Sequence, residues 1–194
     1  MTDPTPPTER CDLDDLTRFI HLGLTVFGIL ALLTGLWAGD YKRAQHLGFS
    51  AHKWLGLALS FFMAWRIWYG FDGPQEARFS QWVPYTPERL RMAWEDALNL
   101  LRLKLPDRPP HQGLAAVVQT FGLAVFAWMA LTGSLMALWL TRGSKAGGFV
   151  HALKEMHELG PWLLIIFLAI HVGAVTLHSC AGQNLWRKMF FLEK

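Results

Sequence analysis

Four apolar stretches, each long enough to cross a lipid bilayer, constrain this chain more than anything else in it. A hydrocarbon core of about 30 Å is crossed by about 20 mostly apolar residues in helical form. Residues 19–38, 51–71, 114–140 and 159–177 each meet that requirement. The first and third hold no charged residue, the second carries Lys53 and Arg66 near its two ends, and the fourth is rich in Leu, Ile and Ala. Trp37, Trp54, Trp68, Tyr69, Trp139 and Trp162 stand near the ends, where amphipathic rings anchor a span to the headgroup layer. The pattern predicts an all-α integral membrane four-helix bundle. Composition argues against the soluble alternative. A chain of 194 residues, 52% hydrophobic and 17% charged, has too much surface for its volume to hide that apolar content in water.

Other classes are excluded in turn. The net charge of +3 is small, and the Lys and Arg form no single basic stripe, so nucleic acid is not an expected partner. Cys11 and Cys180 lie far apart in sequence and define no disulfide framework. There is no Cys-x-x-Cys-His, so a haem here would be held by coordination and packing and not by thioether bonds. Residues 1–16 form a polar tail with three Pro and an acidic cluster of Asp12, Asp14 and Asp15, unlike a secretory signal. The first apolar run is also too long for a signal core, so it is expected to stay as a span.

Loop charges give an orientation. With the N-terminus in the cytoplasm, that side holds Arg10, Arg18, the seven Lys and Arg from Arg66 to Arg108, Arg187, Lys188 and Lys194. The other side holds Lys42, Arg43, Lys53, Arg142, Lys145 and Lys154. Twelve against six places both termini in the cytoplasm by the positive-inside rule. The long loop between spans 2 and 3 contains its own helix, about residues 86–105. Thr86-Pro87 offers an N-cap followed by Pro at the first helical position. Leu90, Trp94, Ala97, Leu98, Leu101 and Leu105 then recur at helical spacing. This reads either as an amphipathic helix on the cytoplasmic membrane surface or as a helix packed under a partner subunit.

Ionisable groups inside a bilayer are costly and point to function. Five of the eight His lie within or at the ends of spans: His21, His52, His157, His171 and His178. Spans 2 and 4 both start at the periplasmic face in this topology, which puts His52 and His157 at one level. His171 follows His157 by 14 residues, roughly 21 Å deeper at a rise of 1.5 Å per residue, toward the level of His21. Fourteen steps of about 100° also return to nearly the same helix face. Two pairs are therefore expected, one in each leaflet: His52 with His157, and His21 with His171. His151 falls on the opposite side and reads as a loop residue. His178 shares the His171 face and is open to roles as alternative ligand, quinone contact or surface residue. Pro161 removes the amide that would bond to the His157 carbonyl, so the fourth helix is expected to kink or begin there.

Arg66 follows His52 by 14 residues and so faces the same interior, where a haem propionate would accept its guanidinium. Snorkelling to the headgroups from a helix end is an equal alternative. Gly28 and Gly35 follow His21 at steps of seven, which suits either a flat macrocycle or ordinary helix packing. Paired imidazoles would fill both axial positions of a haem iron and leave one-electron transfer as its chemistry. Another His-ligated metal, a chlorophyll-type pigment, or a structural subunit whose His ligate nothing are the alternatives.

At this point the residues resemble a known family. Arg18-Phe-Ile-His21, His52-Lys-Trp-Leu-Gly56 running on to Arg66, and Trp68-Tyr-Gly-Phe with Ala77-Arg-Phe-Ser80 are similar to segments of the bacterial cytochrome b561 family. His157-Glu158, His171-Val-Gly-Ala, His178-Ser179, Asn184-Leu185 and Met189 continue the likeness, in the branch that includes b-type cytochrome subunits of nickel-iron hydrogenases. The chain departs from the pattern at Leu22, at His111-Gln-Gly-Leu-Ala before span 3, and at Pro161. The resemblance covers residues 17–190. It implies two haem b groups in the bacterial inner membrane, with His21, His52, His157 and His171 as iron ligands. It also implies a quinone pool on one side and a periplasmic c-type cytochrome or oxidoreductase subunit on the other, with a homo-oligomer left open.

The residues give a preference for where each partner meets the chain. Arg18, one turn before His21, His178 and the apolar face of the 86–105 helix surround the cytoplasmic haem and suit a quinone. His46, His151, Lys42, Arg43, Lys145 and Lys154 give the periplasmic side a mildly basic surface suited to a soluble protein partner.

Overall fold

The computed structural model describes residues 14–38, 47–106, 108–109, 111–140, 147–183 and 185–190, Lys188 by its backbone alone. Arg10, Cys11, Lys42, Arg43, His46, Arg142, Lys145, Asn184 and Lys194 lie outside them. All regular structure among the described residues is helical. Four long helices, α1 (Asp15–Gly35), α2 (Leu47–Asp72), α5 (Gly113–Trp139) and α6 (Gly148–His178), are accompanied by three shorter ones. These are α3 (Phe79–Trp82), α4 (Pro87–Leu101) and α7 (Leu185–Met189).

Local chemistry explains the helix ends. Asp14 caps α1 by accepting the Thr17 amide at 3.0 Å, and the Tyr69 hydroxyl donates to the same carboxylate at 2.8 Å. The start of α1 is thus tied to the end of α2. Thr86 caps α4, with Pro87 at its first position, where a missing N–H costs nothing. No side chain of its own caps α5; the buried carboxylate of Asp96 on α4 accepts the Leu114 amide at 3.0 Å instead.

By length and apolarity alone α1, α5 and α6 qualify as membrane spans. The polar groups His52, Lys53 and Arg66 dilute α2, yet its 26 residues make it about 39 Å long, ample to cross. The chain is an all-α, multi-pass membrane protein.

The fourth span differs from expectation at its start. It was expected to begin or kink near Pro161, with residue 159 as its first. In fact α6 starts at Gly148, runs through Pro161 and takes His151 into its first turns. The segment ahead of the apolar run is helical because it carries i,i+4 partners, His151 with Glu155 and Lys154 with Glu158. Hydropathy marks where lipid begins, and the helix extends beyond that limit.

Helices in lipid gain little from the hydrophobic effect and associate by close packing. Aromatic rings fill glycine notches here: a Cβ on Gly23 would stand 2.3 Å from the Phe62 ring, and one on Gly122 2.1 Å from Phe167. Val125, Leu164 and Phe167 form the buried centre, with Phe126 and Met129 against them. The packing runs in a chain, α1 on α2, α2 on α5, α5 on α6, with α4 also on α5. Among the described residues no comparably extensive packing joins α6 to α1 or α2. A seam is left between α6 and the first hairpin.

Candidate functional site

Two pairs of histidine rings bridge that seam at opposite ends of the bundle. At the end where α4 lies, His21 of α1 faces His171 of α6 with ring centres 6.4 Å apart. At the other end, His52 of α2 faces His157 of α6 at 6.0 Å. A metal–imidazole bond is about 2 Å long, and two such bonds end to end, with the inner half of each ring added, span roughly 6 Å. Each pair is spaced to hold one metal ion between its rings.

The rings at the second end are also set in their tautomer. His52 Nδ1 lies 2.8 Å from the Ala31 carbonyl oxygen, which only accepts, so Nδ1 carries the proton and Nε2 keeps its lone pair. His157 Nδ1 lies 2.8 Å from the Thr132 hydroxyl oxygen. That hydroxyl donates its own hydrogen to the Trp128 carbonyl at 2.8 Å, so toward His157 it acts as acceptor. Both Nε2 atoms keep their lone pairs. Glycines flank the two rings: a Cβ on Gly35 would come within 3.3 Å of His52 Cε1, and one on Gly133 within 3.1 Å of His157 Cε1. No side chain stands beside either ring there. Gly28, by contrast, serves packing, since its Cβ would meet the Phe126 ring at 2.8 Å.

The first end is built differently. His171 stacks on Phe167 at 5.2 Å, and Phe190 meets the His21 ring edge-on at 5.7 Å. His21 Nδ1 is buried without a hydrogen-bond partner. Arg66 does not snorkel. Its guanidinium turns inward, makes long 3.4 Å contacts to the Ala77 carbonyl and lies over Phe79 and Trp82 at 5.1 and 5.7 Å. It stands within electrostatic reach of Asp14 and of His21. Arg18 is half-buried on α1, one turn before His21. His178 is bound into the turn after α6, its Nδ1 3.0 Å from Gln183 Oε1, while His21 faces His171.

Sequence reasoning passed over every contribution of α5. Thr132 and Gly133 back the His157 ring, and Gln119 holds His111 at the α4 end. The signal was available as isolated polar residues in an uncharged span, each of which needs a partner in hydrocarbon.

A family model described as prokaryotic cytochrome b561 matches residues 12–192, nearly the whole chain. The chain belongs to the prokaryotic cytochrome b561 family. Comparison with curated proteins and with solved structures gives no match. As a prokaryotic cytochrome b561, the chain is a membrane electron-transfer protein that uses haem b. The residues present fit such a group. Among the described residues no cluster of three or more His, Cys, Asp or Glu could chelate a bare metal ion. Two facing imidazoles suit an iron whose equatorial positions a macrocycle already fills. Gly35 and Gly133 let the helix backbones come close to the His52 and His157 rings, and the orphaned His21 nitrogen marks the other pair as a polar site inside the bundle.

Proposed function

We propose that this cytochrome carries two haem b groups, one between His52 and His157 and one between His21 and His171, and passes electrons between them across the membrane. The observation that carries the reading is the two ring pairs, each about 6 Å across, at opposite ends of one seam. When bound, the haems supply reversible one-electron chemistry. The chain's own residues hold and orient the groups. Ala31 and Thr132 aim the Nε2 atoms of His52 and His157, and Phe167 fixes the plane of His171. Arg66 and Arg18 are cations near the His21–His171 pair, placed to neutralise propionates.

Residues 17–190 form the working membrane unit, with the 86–105 segment in the headgroup layer and both termini in the cytoplasm of the bacterial inner membrane. Support for the surface placement is the apolar stripe of α4, with Trp94 66% and Leu101 82% exposed. Quinone reacts at the His21–His171 haem, beside Arg18, His178 and the α4 surface. A soluble cytochrome or oxidoreductase subunit docks at the other end, near Lys154 and His151.

Haem content tests the core of this reading. A pyridine haemochrome assay on purified protein is expected to give two haems per chain, and His171→Ala one, with the His52–His157 haem retained. One haem or none in the unsubstituted protein, or no loss in His171→Ala, overturns it.

A further inference from the structure

The two histidine pairs are backed unequally, and the difference bears on redox potential. At the His52–His157 end both rings direct Nδ1–H at an oxygen acceptor, the Ala31 carbonyl and the Thr132 hydroxyl, each at 2.8 Å. At the other end His21 Nδ1 is buried with no acceptor. An acceptor on the outer nitrogen makes an imidazole a stronger electron donor, which favours the ferric over the ferrous ion. Thr132 is the element of this arrangement that a side chain controls. It is buried, 3% exposed, in the C-terminal third of α5, and its hydroxyl is held as an acceptor by its own bond to Trp128.

We propose that Thr132 is a positioning residue: by accepting the Nδ1–H of His157 it fixes that ligand's tautomer and holds the His52–His157 haem at the lower of the two reduction potentials. The inference rests on the two-haem reading above. It adds a direction: at equilibrium an electron entering at the His52–His157 end moves toward the His21–His171 end. A plainer role exists for Thr132, since a threonine in a membrane helix commonly bonds back to the i−4 carbonyl. That role alone would leave the potentials where they are.

The test is a spectroelectrochemical titration of the purified dihaem protein and of three variants. The unsubstituted protein is expected to titrate in two one-electron steps. Thr132→Val keeps the shape and removes the acceptor. It should raise the lower midpoint by about tenfold in the oxidised-to-reduced ratio, about 59 mV for one electron, and leave the upper midpoint in place. Thr132→Ser restores the acceptor and should return the lower midpoint to its original value. Both midpoints unmoved in a Thr132→Val protein that retains two haems, or movement of the upper one alone, overturns the proposal. Should Thr132→Val lose a haem, Thr132→Cys, a poorer acceptor of similar size, decides in its place: a raised lower midpoint supports the proposal and an unmoved one overturns it. A haemochrome ratio other than two in the unsubstituted protein would instead sink the underlying reading.

Discussion

His111 is an imidazole given to architecture. Its backbone has φ of 64°, a left-handed conformation unusual for a residue other than glycine, and its Nδ1 lies 2.5 Å from Gln119 Oε1. Burial, with the charge of Arg66 acting the same way, pushes its pKa below 6.5, against the Gln119 bond that works in the other direction. The unfolded chain therefore binds a proton near pH 6.5 that the folded chain resists, so stability is lost as pH falls through 6.5 toward the folded value. The slope contributed is at most about 1.4 kcal/mol per pH unit. His111→Gln should flatten the fall in thermal stability between pH 7.5 and 5.5, and an unchanged fall would assign it to other groups. At this scale the sequence was legible where counting suffices. Fourteen residues from His157 to His171 fix depth and face together, which is why both ring pairs could be anticipated. The acceptors behind the rings were not legible, because Ala31 acts through its carbonyl and Thr132 through a helix whose rotation no spacing reveals.

Between elements, an ion-paired clasp joins α4 to α5. Asp96, 2% exposed, accepts from Arg108 Nε at 2.6 Å and from the Leu114 amide, and Arg108 reaches Glu95 at 3.1 Å. Gly113 has φ of 59°, and a Cβ there would lie 1.7 Å from the Asp96 carboxylate. Removing Asp96 takes the acceptor from the Leu114 amide at the start of α5, a lost cap that costs about 1 kcal/mol, and leaves Arg108, whose side chain is 29% exposed, to water. Asp96→Ala is expected to speed hydrogen exchange in α4 and the first turn of α5 while the haem proposed between His52 and His157 keeps its spectrum. Exchange confined to its original rate would show that lipid, and not this clasp, holds α4. The sequence showed the α4 cap at Thr86-Pro87 but not the clasp, since Asp96 and Arg108 lie 12 residues apart with a turn between them. The start of α6 was hidden for a related reason: charged residues ended the hydropathy signal while their i,i+4 pairing continued the helix.

For the molecule as a whole, the proposed orientation rests on the division of charge. Cys180 is exposed just past the end of α6, on the side assigned to the cytoplasm by the division of Lys and Arg. With Cys11 replaced by Ser, an impermeant maleimide should label Cys180 only after spheroplasts are opened. Labelling of intact spheroplasts would invert the molecule in the bilayer. The bundle was legible at this scale because lipid imposes length and apolarity on every span, whereas the order in which helices touch depends on side-chain shape. That order leaves α5 as a spine, bound on one side to the hairpin of α1 and α2 and on the other to α6. On the two-haem reading, bound tetrapyrrole would join the two covers of this book, and the supply of haem would then set how many copies reach maturity. Copies left without it would keep unligated polar histidines inside the bilayer, a flaw that the proteolytic machinery of a membrane is suited to find.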